Sequence, residues 1–363
     1  MDYGKSRLHL FPADAETFAS GDLGVIRGVV SASVVEERNG VYELTVTCYP
    51  DSEPVTFGVN PRPNMIIRTR PNPYDDPQPF RISQIRMDIN GAMEITARHI
   101  SYDLNRRVIY ATGASKTLAD WITYLNDARP PFVFSTDITT AGAVAIKVPT
   151  PVRSFLGGSD GSLLQKFGGE YRFDGFRVQL LASRGSRTWH VRYGVNMTKL
   201  DYRISNEDAY NAYYAFWQGV DGTVVAGYNS VQSYVADADG NTSGDAVRNA
   251  LDRVVIDVSD QFDETPTRAQ VVEAGRVQFL ANYSQAVQTS VAVSAVDAPG
   301  VFGQDWSELQ LCDAVTIHHP IIGQMAAQII KTRFDPLQGR YTEITIGTPR
   351  RTLPKRLAQM ERR

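Results

Sequence analysis

The chain has 363 residues, of which 42% are hydrophobic and 21% charged, and a formal net charge of -3. That length predicts roughly two to four domains, and the composition is that of a folded chain rather than a disordered one. The charge balance excludes the broad basic surface of a nonspecific nucleic-acid or phosphate binder, and it leaves no acidic tail.

The N-terminal run MDYGKSRLHLFPADAETF lacks the basic and apolar regions of a secretory signal. No apolar run approaches the length of a membrane span. The expectation is a chain made in the cytoplasm, soluble or assembled from there, without stable membrane insertion. Cys48 and Cys312 lie far apart, each in an apparent strand, and read as buried free thiols rather than a disulfide.

Gly24 to Pro50 reads as a hairpin in which Val30, Ala32 and Val34 face Tyr42, Leu44, Val46 and Cys48. A two-residue Asn39-Gly40 loop would put these sets on opposite faces. A three-residue loop, Arg38-Asn39-Gly40 with Gly40 left-handed, pairs Val34 with Leu44 and unites them. Eight of the 19 prolines fall between Pro50 and Pro79, so that stretch is loop and edge, with Val55–Phe57 and Met65–Arg70 free to pair. QPFRISQIRM and AMEITARHI flank Asn90-Gly91 as a second hairpin.

A helix is predicted over 118–127, capped by Thr117 with Asp120 three residues on, its stripe formed by Leu118, Trp121, Ile122 and Leu125 and its end set by Pro130 and Pro131. Strand and loop follow over 132–151, and a short helix over 161–167. EYRF, FRVQLLA and TWHVRY then read as a three-stranded antiparallel meander turning at Asp174-Gly175 and at Arg184–Arg187.

Tyr210, Tyr213, Tyr214, Phe216, Trp217 and Tyr228 could stack on sugars or bases. With no basic run beside them, a strand buried on both faces is the favoured reading. Residues 229–244 read as a surface loop and VVIDVS as a strand. TPTRAQVVEAGRVQFLANY is the clearest helix, capped by Thr265 or Thr267 with Pro266 in its first turn and Val272, Phe279 and Tyr283 on one side. SVAVSAV, LCDAVTIHH, QMAAQIIKTRFD and YTEITIG read as strands, and the charged tail LPKRLAQMERR as a helix.

No constellation converges on a reaction, and the expectation is no catalytic, cofactor-binding or metal site. His318 and His319 are adjacent on a strand and point to opposite faces, which suits a metal poorly. His99 and His190 read as packing or hydrogen-bonding residues. Glu170 and Asp174 flank a turn, with Asp201, Glu207 and Asp208 nearby, so a glycosidase pair is conceivable, although carboxylates around hairpin turns are common. Gly157-Gly158 and Gly168-Gly169 lack the context of a phosphate loop, and no GxSxG elbow or CxxC pair occurs.

SVVEERNGVYELTVTCYP (33–50), QPFRI (78–82), ARHISYDL (97–104), GSLLQKFGGEYRFDGFRVQLLASRG (161–185), RYGVNM (192–197), LCDAVTIHHPIIG (311–323) and KTRFDPLQGRYTEITIG (331–347) occur in one order. As a set they resemble the N-terminal structural region of siphophage tail-tip proteins, the tail-associated lysin or prophage endopeptidase tail family, whose members form the baseplate hub. Val195 departs from the lysine often found in that family. The resemblance implies a β-rich α+β multidomain fold similar to the contractile-phage hub protein: a first tube-like β-barrel domain over 1–104, an α+β domain with the central meander over 105–200, and a second tube-like β-barrel domain over 201–350. A helix-containing insertion falls around 262–300, followed by a charged tail over 351–363.

It further implies a non-enzymatic homotrimer in the virion tail tip that closes or gates the tail tube. Its partners are the distal tail protein ring and the C-terminus of the tape-measure protein, with no sequence-specific nucleic-acid contact. Longer relatives carry a peptidoglycan-cleaving or receptor-binding extension, which a chain ending at Arg363 is expected to lack. The alternatives are a tail-associated cell-wall hydrolase using Glu170 and Asp174, and a saccharide-binding host-recognition module using Tyr210 to Trp217. The stretch from Gly161 to Leu200 is expected to be packed and to join domains rather than open as a cleft.

Overall fold

The computed structural model describes residues 7–49, 61–128, 130–158, 161–205, 212–230, 253–262, 264–282, 288–295 and 308–347. The expectations for Val55–Phe57, Glu207, Asp208, Tyr210, most of the 229–244 loop, Tyr283 and the C-terminal tail lie outside them. The chain forms two compact units, one from Met1–Asp201 with Ala292–Arg363 and the other from Tyr202–Val291.

The larger unit begins with β1 (His9–Phe11), β2 (Val29–Glu37), β3 (Tyr42–Cys48), β4 (Ile66–Thr69), β5 (Gln78–Met87) and β6 (Met93–His99). In β3 the alternation decides the fold, since Tyr42, Leu44, Val46 and Cys48 are all buried while Thr45 is exposed. Val34 pairs with Leu44, as the three-residue loop requires. The left-handed residue of that loop is Asn39, at φ 54, and not Gly40. Asparagine tolerates this region, and its amide is fixed from outside, accepting from the Tyr171 backbone N–H at 2.8 Å and donating to the Gly169 carbonyl at 3.1 Å. Val30 leaves the expected apolar set and is 63% exposed, because a bulge between Val29 and Ser31 turns it outward. The β5–β6 hairpin closes through Ile89-Asn90-Gly91, with Gly91 at φ 81 and Asp88 accepting from the backbone of Asn90 and Ala92.

After β6, α1 (Leu118–Ala128) forms where predicted, and Thr117 and Asp120 complete its capping box. Then come β7 (Val133–Thr136), α2 (Val152–Leu156), α3 (Leu163–Phe167), β8 (Glu170–Asp174), β9 (Arg177–Leu181) and β10 (Thr188–Arg192). Trp121 and Leu125 of α1 pack with Phe134, Phe155, Leu164, Val178 and Leu180 in one core.

The expected meander is corrected at its third strand. β8 and β9 form the hairpin, with Asp174 opposite Arg177 and Gly175 at φ 55. The other edge of β9 is occupied by β7, which runs parallel to it, so no edge remains for β10. β10 instead pairs in parallel with a strand more than a hundred residues later.

That strand is reached through the smaller unit. β11 (Met197–Ser205) carries the chain out, followed by β12 (Ala212–Gln218), β13 (Val224–Ser230), β14 (Arg253–Asp257) and α4 (Arg268–Asn282), and β15 (Gln288–Ala295) carries it back. β12 is central, antiparallel to β13 and parallel to β14. Tyr213, Ala215 and Trp217 are buried with Val271 and Phe279 of α4, whereas Tyr214, on the other face, is 44% exposed. The strand is therefore buried on one face, not both, because a single helix layer covers this sheet. Thr267 caps α4 through reciprocal bonds with Gln270, which leaves Pro266 just ahead of the first turn. Gly275 lets the helix approach: a Cβ there would stand 2.4 Å from the Ala215 Cβ.

The chain closes with β16 (Ala314–His319), β17 (Gly323–Asp335) and β18 (Arg340–Gly347). β17 pairs with β18, β16 and β2, placing Phe334 opposite Val34 and Lys331 opposite Glu37. The first and last parts of the chain thus share one sheet, ordered β15-β18-β17-β2-β3-β6-β5-β4-β1. Both cysteines are free and buried. Cys312 lies in the turn before β16 at φ 73, not in the expected strand.

Candidate functional site

Glu170, singled out by sequence, lies in a polar junction of the larger unit with Glu36, Arg38, Arg184 and Gln328. Glu36 is the penultimate residue of β2 and Arg38 opens its hairpin loop, Glu170 begins β8, Arg184 lies between β9 and β10, and Gln328 lies on β17. Glu170 accepts from Arg38 Nε at 2.9 Å, from the Arg184 backbone N–H at 2.7 Å and from Gln328 Nε2 at 2.7 Å. Burial pushes its carboxyl up, but these three donors outweigh that and hold it below the usual carboxylate range. Arg184 donates to Glu36 at 2.6 Å, with both side chains almost fully buried.

The loop leading into β10 is pinned beside this pair. Asp313 is buried and accepts from the backbone of Ser186 and Arg187, from Trp189 Nε1 at 2.8 Å and from the Gln310 backbone. Gly185 passes so close to Cys312 that a Cβ would stand 2.0 Å from its carbonyl oxygen. Burial pushes the Cys312 thiol up, so it stays protonated rather than becoming a nucleophile. Against the expectation of a fully packed segment, a shallow cleft of about 450 Å³ opens here, lined by Arg38, Glu170, Arg187 and Gln328 among others.

A second network centres on ARHISYDL. His99 is buried, stacks on Tyr42 with centroids 4.4 Å apart, and accepts at Nδ1 from the Ser101 backbone N–H. Its Nε2 lies 3.2 Å from Gln78 Oε1, and Gln78 in turn donates to Asp174 at 2.8 Å. Burial, with the Arg153 guanidinium beside it, holds the His99 imidazole well below its ordinary range. Arg153 itself lies over the rings of Tyr102 and Phe173 and donates to Ser101, while Arg81 clasps Asp103 with two nitrogens.

This arrangement orders chain segments and offers little to a substrate. Glu170 and Asp174 lie on the same face of β8 four residues apart, which separates their Cα atoms by about 13 Å at the rise of a strand. Glycosidase carboxylates stand roughly 5–9.5 Å apart, and the general acid needs a raised pKa. Both carboxylates are also engaged by protein donors, and Asp201 belongs to a different strand, β11. Tyr213 and Trp217 are buried against α4 and give no stacking platform. His319 accepts from the Ile321 backbone and sits beside Tyr193, whereas His318 meets His190. Among the described residues no group of three or more histidine, cysteine or carboxylate side chains is placed to hold a metal. Sequence reasoning missed Asp313, Gln78 and Gln328. Nothing local marks them, because Gln78 meets His99 and Asp174, Gln328 meets Glu170, and Asp313 meets Trp189, all distant in sequence.

The fold belongs to a class seen in tail proteins of prophages. No family model matches the chain, and no curated protein sequence matches it. Among solved structures it is similar to prophage tail protein gp18 from Listeria monocytogenes EGD-e, at 14% identity and a TM-score of 0.58, over 98% of each chain. It is also similar to the 43 kDa tail protein of prophage MuSo2 from Shewanella oneidensis, at 11% identity and a TM-score of 0.56, over 95% of this chain and 98% of that one. A tail protein from Neisseria meningitidis MC58 matches at 10% identity and a TM-score of 0.54, over 95% of this chain and 97% of that one.

Proposed function

We propose that the chain is a structural hub of a phage or prophage tail tip, a homotrimer that closes or gates the tail tube below the distal tail protein ring. The observation that carries this reading is the end-to-end likeness in fold to prophage tail proteins, which a shared accessory domain would not give. The polar junction supports it, because its charged groups are spent on joining segments of this chain. In this reading 1–104 and 201–350 are the two tube-like barrels, with 105–200 between them. Three subunits then present six similar barrels to a sixfold ring, a symmetry match that accounts for duplication without a sequence repeat. The distal tail protein and the tape-measure C-terminus are the partners, and the tail tip is the location.

The test is the solution mass of the purified chain, alone and mixed with its distal tail protein. A mass three times the 40.2 kDa chain, or a shift to a larger complex on mixing, is expected. A monomer that ignores the ring overturns the reading. The hydrolase alternative requires that replacing Glu170 and Asp174 together by alanine abolish cell-wall cleavage. The structural reading expects no cleavage to lose.

A further inference from the structure

β10 and β16 run side by side in parallel, with His190 opposite Thr316 and Arg192 opposite His318. This diagonal brings Nδ1 of His190 within 3.2 Å of Nε2 of His318, the ring centroids standing 5.4 Å apart. Two imidazole nitrogens bound to one ion at about 2.0–2.1 Å, near the tetrahedral angle, lie about 3.3 Å from each other. The sheet therefore already holds two nitrogen donors at the separation a single ion demands. His190 is exposed and His318 half-buried, so solvent reaches both.

We propose that His190 and His318 form a two-histidine site for a divalent transition ion of the class that prefers imidazole, with zinc, nickel and copper as its members. Each ring turns about its Cβ–Cγ bond so that the two lone pairs converge instead of opposing each other. The proton shared in the present hydrogen bond moves to the outer nitrogen of its ring, which frees both facing lone pairs for the ion. Water fills the remaining coordination positions. With two protein ligands and the Arg192 cation nearby, binding is reversible and weaker than at a closed four-ligand site. The bound ion bridges β10 to β16, two strands that no local turn connects.

The experiment is calorimetric titration of the tag-free chain with zinc chloride and with nickel chloride, together with thermal unfolding at rising ion concentration. One ion per chain and a midpoint that climbs with concentration are expected. His318→Gln and His190→Gln should each weaken binding at least tenfold while far-UV circular dichroism stays unchanged, which separates loss of a ligand from loss of the fold. Cobalt(II) should give visible bands with the parent chain that disappear in either variant. No heat and no midpoint shift at millimolar zinc overturns the proposal, as does equal binding by both variants.

Discussion

Arg184 and Glu36 face each other at 2.6 Å with side chains only 7% and 6% exposed, so neither charge can recover water if the other is removed. Arg184→Ala is therefore expected to cost about 3–5 kcal/mol of stability, read from urea unfolding. The solvent-facing Arg276–Glu273 pair on α4 should show no measurable loss on the same change. His99 sets the acid side of the stability profile. In the folded chain its imidazole resists protonation, whereas in the unfolded chain it titrates near its ordinary value of about 6.5. Below that pH the unfolded state binds more protons, so the stability tied to His99 is present above it and is lost as the pH falls through the folded value. Glu170, also held low, adds a loss in the same direction at more acid pH. Denaturant unfolding at several pH values between 7.5 and 5 should show the decline. A His99→Phe chain, which keeps a ring against Tyr42 but cannot titrate, should begin less stable and decline less steeply. His99 could be read from sequence as a packing residue because it stands in an alternating strand. Gln78 could not be read as its partner, because nothing local marks a hydrogen bond spanning 21 residues.

Most of the longer elements were legible from their own residues, as was the β2–β3 hairpin, whereas β1, α2 and β11 were not anticipated and long-range strand neighbours were not legible. The Thr117 and Thr267 caps, the alternation of β3 and the glycine of the β8–β9 turn are all signals within a few residues, and all of them formed. Thr267→Ala should accordingly cost about 1 kcal/mol, since the first-turn amide of Gln270 loses its acceptor. β10 shows the limit: its alternation was correct, with Trp189 and Val191 buried, yet the partner edge was wrong. That partner was decided by β7 occupying β9 and by Asp313 gathering the loop ahead of β10, both long-range events. The loop's closeness to Cys312 rests on Gly185. Gly185→Ala places a methyl against a backbone carbonyl that cannot rotate away. The expected result is a loss of about 1–3 kcal/mol from overpacking, accompanied by a change in the fluorescence of Trp189, the nearest indole in sequence. An unperturbed emission with wild-type stability would contradict the tight approach.

At the scale of the whole molecule, two of the seven stretches that carried the resemblance mark joints more than surfaces. ARHISYDL supplies His99, Ser101 and Asp103 to internal networks, and GGEYRFDGF supplies Glu170, Tyr171 and Asp174. A reading of these residues for chemistry therefore found none, although the same residues carried the resemblance. The smaller unit has a core of its own, Tyr213, Ala215, Trp217, Ile256, Val258, Val271 and Phe279, which among the described residues shares none with the larger unit's clusters. Two cores without common members need not melt together, and multidomain chains depart from a single two-state transition on this ground. Phe279 is 0% exposed at the centre of the smaller core. Phe279→Ala should remove about 3–5 kcal/mol through lost burial and the cavity left behind. In differential scanning calorimetry the transition of the smaller unit should move down while that of the larger unit keeps its midpoint. If the entire heat-absorption profile shifted as one peak, the two cores would be energetically one, and the strands β11 and β15 that carry the chain between the units would be transmitting the loss.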